Sequence, residues 1–450
     1  MKYEEAVPSK LVKIRSMSLE DVDLIGRWFE YGSCKTASEI NGFHETFSVL
    51  HYQERMQKHN WVYQCKVVED LGHPAGYFDY RYRTHHGEIC GIYAEPQLRM
   101  ERIDQHLLRW IIADLREHGC SDVRVEIQAD KFDLLGVFQN IGFQRDETQH
   151  HIDSGKSFHL LRYLIKPFQR LSPQEPAYRL LQTENLYLDH VALAEALIDV
   201  IKNLQGVEVI LGLGSLARGF GDQWSDLDLA VFGRGPDLYF LGRGEFNLSS
   251  VFLDLFVINL DASSLSDWGD SAKQAYEESV ILFAKDTTII DFFQQAFAFR
   301  KGEQVQKIQE ILLKLGWIGF QPRQWYDTDK YGYFWTVPYD LWIRRGSITS
   351  AHTTIDLALE YTLHLLFLAN GRRAPDIKWL RFLAPHLPWL PPSFNFFIEQ
   401  VDVGKCDEPG FRSRAMSLLS IVEGIIQNIE EKGLINGDIY QSYIDNGDYY

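Results

Sequence analysis

Two aspartates one residue apart, Asp226 and Asp228, follow a Gly-Ser turn at Gly214 and Ser215 in the run GLGSLARGFGDQWSDLDLAVFG. A third, Asp254, sits inside the apolar run VFLDLFVINL. In a strand, residues i and i+2 share a face, so Asp226 and Asp228 project together at the mouth of LDLAVF. Asp254 on a neighbouring strand completes a set of three carboxylates. Such a set suits magnesium, a hard cation that prefers oxygen ligands and keeps several waters. A carboxylate inside an apolar strand is costly to bury unpaired, so it needs a metal, a partner or solvent. Two metal ions held there would clamp the attacking and leaving oxygens of an in-line displacement at phosphorus. Gly214 lets a phosphate approach the backbone, and Ser215 is placed to donate its hydroxyl near a helix start. Arg218, one turn on, is a candidate phosphate partner.

These residues need strands and turns to hold them, and the surrounding pattern supplies both. Apolar runs at Val207 to Leu213, Leu227 to Phe232 and Val251 to Ile258 read as strands, preceded by a helix from His190 to Leu204. Upstream, from about Leu11 to Lys166, strand-like and helical runs alternate. Leu11 to Arg15 reads as a strand before a capping-box variant at Ser18 to Asp21. Glu88 to Tyr93 reads as a strand, Ile103 to His118 as an amphipathic helix, Val123 to Ile127 as a strand and Phe132 to Asn140 as a short helix. Two strands flank a turn at Asp153-Ser-Gly155. Leu171 to Tyr187 carries two prolines and no clear period, which predicts a linker. From about Phe292 the pattern is helical, through VQKIQEILLKL, IDLALEYTLHLLFLA and RAMSLLSIVEGIIQNIEE, which predicts a helical bundle. The closing GDIYQSYIDNGDYY reads as a loose acidic tail.

At 450 residues the chain exceeds one ordinary core, and about three domains are expected. Hydrophobic residues at 45% and charged residues at 24% describe a globular rather than a disordered chain. No apolar run approaches a membrane span, and the N-terminus lacks a signal-peptide core, so the expected address is cytoplasmic. Cys34, Cys65, Cys90, Cys120 and Cys406 form no CxxC pair and read as free thiols. The net charge of −17 is uneven: Asp189 to Asp291 holds 17 acidic and 6 basic residues. That excess repels nucleic acid and attracts cations, metal or organic.

The Gly214, Ser215, Asp226, Asp228 and Asp254 constellation resembles the nucleotidyltransferases of the DNA polymerase β superfamily, over about Val207 to Asp286. The helical region after it is similar to kanamycin and lincosamide nucleotidyltransferases. The resemblance implies a mixed sheet, magnesium, ATP or another nucleoside triphosphate as co-substrate, and transfer of a nucleoside monophosphate to a hydroxyl of a small acceptor. By the same analogy the acceptor is cationic, such as an aminoglycoside. Within the bundle, Lys378 with Arg372 and Arg373 could reach the triphosphate, or form an exposed basic loop. Glu360 is a candidate general base or a boundary carboxylate. Trp325, Tyr326, Tyr333, Phe334, Trp335 and Trp342 could stack a base, with core packing as the other use.

The first segment resembles the GNAT acetyltransferases through Ile92 to Ile112 and Leu134 to Phe143. That resemblance implies a helix whose N-terminal amides receive the pyrophosphate of acetyl-CoA. Aligned through Arg99, the family's two small positions hold Arg102 and Asp104, and Phe138 stands where a general-acid tyrosine is frequent. These departures point to a domain kept for substrate recognition, docking or stability rather than acetylation. The reading is therefore an α/β multidomain chain: a GNAT-like domain over 1–168, a linker over 169–188, a nucleotidyltransferase domain over 189–296 and a helical domain over 297–450. Acetyl transfer, a bifunctional modifier and a protein-nucleotidylating regulator stand as alternatives.

Overall fold

The structure is a computed structural model that describes residues 7–8, 10–21, 24–25, 61–100, 102–151, 156–235, 238, 244–248, 251–261, 268–286, 288–321, 337–402 and 404–435. The chain divides into two compact units, one of residues 1–264 with 278–293, the other of residues 265–277 with 294–450.

The first unit holds two sheets. The first runs β1 (Lys13–Ser16), β2 (Val62–Asp70), β3 (His73–Arg83), β4 (His86–Ala94), β5 (Asp122–Gln128), β6 (Gln144–His151) and β7 (Lys156–Leu164), in the spatial order β1-β2-β3-β4-β5-β7-β6. Every neighbouring pair is antiparallel except β4 with β5, which is parallel. That pair hydrogen-bonds only from His86 opposite Asp122 to Ile89 opposite Val125; beyond, the strands stop pairing with each other. The crossover between them carries α1 (Pro96–Met100) and α2 (Ile103–Glu117), and α3 (Phe132–Ile141) follows β5. The apolar stripe Leu107, Leu108, Ile111, Ile112 and Leu115 of α2 is fully buried in this layer's core, as its helical spacing requires.

The second sheet has the order β11-β12-β10-β9-β13-β8. Its members are β8 (Gln169–Arg170), β9 (Val207–Gly212), β10 (Leu227–Gly233), β11 (Gly244–Leu248), β12 (Val251–Asn259) and β13 (Val280–Ala284). The sheet is mixed: β10 runs parallel to β12 and antiparallel to β9. α4 (Tyr187–Ile201) lies against it, and the five-residue α5 (Gly214–Arg218) connects β9 towards β10.

The stretch read as a linker departs from that expectation. Gln169 and Arg170 pair with β13, and Pro176–Leu180 forms a 3-10 turn. Two side chains explain the order. Arg170 Nη1 donates to the Ala217 carbonyl at 2.5 Å, and the Gln174 amide donates to the Arg218 carbonyl. These orphan carbonyls at the end of α5 need donors, and the segment supplies them.

The acidic excess also has a structural use. α2 packs along α4, and the polar groups between them pair. His106 Nε2 lies 3.0 Å from Asp189 Oδ1, Arg109 donates to Asp199 at 2.7 Å, and Arg116 pairs with Glu195. Arg116 also lies 4.2 Å over the Phe168 ring. Three of the acidic residues counted above therefore balance cationic or imidazole groups of α2.

The second unit is helical, as the 3.6-residue stripes predict. It contains α6 (Asp270–Glu277), α8 (Lys301–Trp317), α9 (Leu341–Arg344), α10 (Ile348–Ala369), α11 (Ile377–Leu383), α12 (Phe394–Asp402) and α13 (Glu408–Glu431), with α7 (Thr288–Phe297) spanning the division. α10 packs on α8 and α13, and α13 on α12. No helix of the described residues is long and apolar enough to cross a membrane.

Candidate functional site

Two places in the first unit gather chemistry. The first lies where β4 and β5 cease to pair. A cavity of about 410 Å³ opens there, with an apolar wall that includes Ile92, Ala94, Leu108 and Val137. Its polar wall is Asp104, Asp130, Lys131 and Asp133. At its rim α2 starts from Arg102 in a left-handed conformation, φ 59° and ψ 21°. This is a backbone glycine takes freely and other residues adopt at a cost of about 1 kcal/mol. The side chain of Asp104 folds back so that its Oδ1 accepts from the Gln105 amide at 2.8 Å. A free amide of the helix start is thus satisfied from within. Phe138 is fully buried, edge-on to Phe143 at 5.0 Å, so the ring serves the core.

Fitted against acetyl-CoA, the two walls give different answers. The gap between the strands and its apolar wall suit a thioester arm. Three carboxylates against one ammonium disfavour the pyrophosphate, since like charges within a few ångströms cost energy even when partly solvated.

The second place is the turn between β9 and β10. Gly214 has φ +49°, and a Cβ there would lie 1.8 Å from Asp228 Oδ2, so only glycine allows that carboxylate its position. Asp228 and Asp254 stand directly opposite each other on the parallel strands β10 and β12. Both are half-buried, while Asp226 is exposed at the strand mouth. The parallel register thus sets Asp228 beside Asp254, while Asp226, the neighbour expected from i, i+2 spacing, lies just outside the strand. Among the described residues, no three His, Cys, Asp or Glu side chains gather as a group able to hold a metal ion. The donor chemistry suits magnesium, but the arrangement that exists without it is a carboxylate pair with a third nearby in sequence. Arg218 lies near the pair, its Nη2 3.6 Å from the same hypothetical Cβ of Gly214.

Ser215 corrects its expected role. Its side chain is fully buried, donates to the Asp226 carbonyl at 3.1 Å and lies 2.8 Å from His190 Nδ1. The hydroxyl is spent inside the turn instead of facing a phosphate. Sequence reasoning passed over His190 because it lies 25 residues from Ser215, on α4, with no local signal. Burial pushes its imidazole below the ordinary histidine range.

The remaining candidates belong to the second unit. Arg373 is buried and committed to protein: it donates to Glu277 at 2.8 Å, to Glu303 at 3.0 Å and to the Phe297 carbonyl at 2.6 Å. It does not serve as a triphosphate ligand, because its donors are already occupied. Lys378 is exposed in the first turn of α11, and its amide is capped by Asp376 Oδ1 at 3.1 Å. Arg372 lies 6.0 Å over the Phe367 ring. Glu360 is half-buried midway along α10. Trp342 is partly exposed beneath Arg345 at 5.1 Å. Trp325, Tyr326, Tyr333, Phe334 and Trp335 lie outside the described residues.

Comparison with known proteins bears on the first place. The model of the acetyltransferase (GNAT) family matches residues 30–143. Among solved structures, an N-acetyltransferase from Staphylococcus aureus Mu50 is 17% identical, covering 35% of this chain and all of that chain at a TM-score of 0.29. The ribosomal-protein-S18-alanine N-acetyltransferase of Escherichia coli is 14% identical, covering 34% of this chain and 94% of that one at 0.27. A spermidine/spermine N-acetyltransferase of Vibrio cholerae is 12% identical, covering 34% and 93% at 0.29. No curated protein matches. The match leaves residues 144–450 without a family, and nucleotidyl transfer is not shown by it. Over residues 30–143, this chain carries an acetyltransferase domain of the GNAT family.

Proposed function

We propose that the chain is an acetyl-CoA-dependent transferase acting on an amine of a small acceptor, with its cofactor cleft between β4 and β5. The observation that carries this reading is the cavity at the divergence of those strands, inside the segment matched by the GNAT family. The family match supports this chemistry over the non-acetylating role first read from Arg102, Asp104 and Phe138. In the reaction the acceptor nitrogen attacks the thioester carbonyl, the C–S bond breaks to release the CoA thiolate, and the proton lost by the nitrogen passes through solvent to that thiolate. A thiolate is a good leaving group near neutral pH, so the phenyl ring of Phe138 in place of a proton donor slows the step without forbidding it.

The acidic wall sets a measurable prediction. Asp104→Ala removes a negative charge at the start of α2, where anions are otherwise favoured. It should tighten acetyl-CoA binding about three- to tenfold, equivalent to about 0.7–1.4 kcal/mol. Titration calorimetry on the full chain reads this directly. No heat from acetyl-CoA with either protein, at millimolar ligand, would sink the acetyl-transfer reading.

A second reading rests on a different observation, the register of Asp228 opposite Asp254 behind the Gly214 turn. It is transfer of a nucleoside monophosphate, AMP from ATP in the first instance, to a small hydroxyl acceptor. The pair Asp228 and Asp254 would hold magnesium, which would neutralise charge on the pyrophosphate leaving group. A chain with both sites would be a bifunctional modifier of small molecules.

A further inference from the structure

We infer that His190 is a positioning residue that fixes the turn bearing Ser215 and Asp226, an inference that rests on the nucleotidyl-transfer reading of that turn. Its imidazole, 1% exposed, reaches from α4 to Ser215 Oγ at 2.8 Å, and Ser215 Oγ donates to the Asp226 carbonyl at 3.1 Å. The hydroxyl has one proton and the carbonyl can only accept, so that proton goes to Asp226. His190 must then donate from Nδ1, which fixes the tautomer and leaves Nε2 without a proton. Nε2 is buried and has no hydrogen-bond partner. The ring is therefore held for what Nδ1 does. The same ring packs on Gly221, where a Cβ would come within 2.8 Å of its Cε1 and Nδ1.

The rest of the turn is tied to the same helix start. The Gly221 carbonyl accepts from the Leu186 amide at 2.6 Å, and Asn185 Oδ1 accepts from both Gly221 N at 3.2 Å and Tyr187 N at 3.0 Å. Asp222 accepts from Trp224 N at 3.1 Å and Thr183 Oγ1 at 3.0 Å. α4 itself is anchored one residue earlier, where Asp189 meets His106. The chain from α4 through His190 and Ser215 thus ends on the carbonyl of Asp226, the residue immediately before β10. It sets the direction in which the carboxylates at the strand mouth leave the backbone. These two contacts satisfy the buried Ser215 hydroxyl.

Three variants of the full chain test the inference: His190→Leu, which keeps the volume without the donor; His190→Asn, whose amide can place an N–H near Nδ1; and His190→Gln, whose amide sits nearer Nε2. Hydrogen exchange of the segment 213–226 is the first readout. His190→Leu and His190→Gln should exchange about tenfold faster there, with the strands of the first sheet unchanged, and His190→Asn should stay within about threefold of the parent. Pyrophosphate release from ATP with magnesium is the second. His190→Leu should lose about tenfold or more in kcat with little change in KM for ATP, because a displaced group costs rate before it costs binding. Asparagine should recover most of the loss. Unchanged exchange in His190→Leu, or no recovery with asparagine, would overturn the inference. A parent protein that releases no pyrophosphate, while His190→Leu still loosens the segment, would count against nucleotidyl transfer and leave the positioning intact.

Discussion

Arg373→Met should destabilise the second unit by about 2–4 kcal/mol, lowering its melting temperature by about 5–15 °C. The guanidinium side chain is 2% exposed and answers three acceptors: Glu277, Glu303 and the Phe297 carbonyl. It also lies 4.8 Å over the Phe299 ring. Methionine replaces most of the volume, so the loss is chiefly electrostatic. It leaves two carboxylates and a carbonyl facing an apolar side chain, and breaking a buried pair costs more than the pair contributes. The carboxylates keep a quarter to a third of their surface in water, which holds the cost below that of a fully buried pair. The pH dependence has a definite sign. Burial pushes the Glu277 carboxyl above its ordinary range, although Arg373 pulls it down. A carboxyl whose folded pKa is raised binds its proton more readily in the folded state, so its contribution to stability grows as pH falls through that range. Without Arg373 the pKa rises further, and protonation relieves the orphaned charge. The deficit of Arg373→Met should therefore shrink between pH 8 and pH 5. Thermal melts across that range, with exchange in α6 and α8 as the local readout, check it; a deficit that is equal at both pH values would contradict the account.

The sequence was most legible where one face of an element meets water. The amphipathic stripe of α2 and the helical stripes of α8, α10 and α13 all form close to their expected spans. So do β9, β10 and β12, because short apolar runs between turn residues leave few other options. β3 carried no period-two signal, since Ala75 to Tyr80 are buried on both faces and a strand covered on both sides has no reason to alternate. The local order within the expected linker was hidden for a related reason. Its order comes from Arg170 and Gln174 reaching carbonyls about 45 residues away, and composition holds no record of a distant acceptor. At the candidate sites the same division holds. The pairing of Asp228 with Asp254 comes from sheet register, which the i, i+2 spacing of Asp226 and Asp228 does not encode, whereas the departures at Arg102 and Asp104 were visible as residue types. The left-handed backbone of Arg102, the carboxylates Asp130 and Asp133 on the cavity wall, and the inward turn of Ser215 were not, because each depends on which side a chain segment packs.

Asp228→Asn should abolish pyrophosphate release, by at least about 10³-fold or about 4 kcal/mol of transition-state stabilisation, while leaving acetyl-CoA binding unchanged. The substitution is nearly isosteric, so Gly214 still accommodates the side chain, and what is lost is charge. Asp228 faces Asp254 across the parallel pair, and an amide there halves the negative charge that the pair offers a cation. The cleft between β4 and β5 shares no residue with this pair, so its chemistry should be untouched. Asp104→Ala supplies the converse, changing acetyl-CoA affinity and leaving nucleotide turnover alone. Run together with labelled ATP, labelled acetyl-CoA and a panel of amine-bearing and hydroxyl-bearing small molecules, the two variants separate the readings. Acetylated acceptor that survives Asp228→Asn, with no pyrophosphate from the parent, would assign the activity to the GNAT domain alone. Nucleotidylated acceptor lost in Asp228→Asn, with acetyl-CoA inert, would assign it to the carboxylates and make the cleft a relic of the fold. Both products from the parent, each lost in a different variant, would establish two transfer sites on one chain.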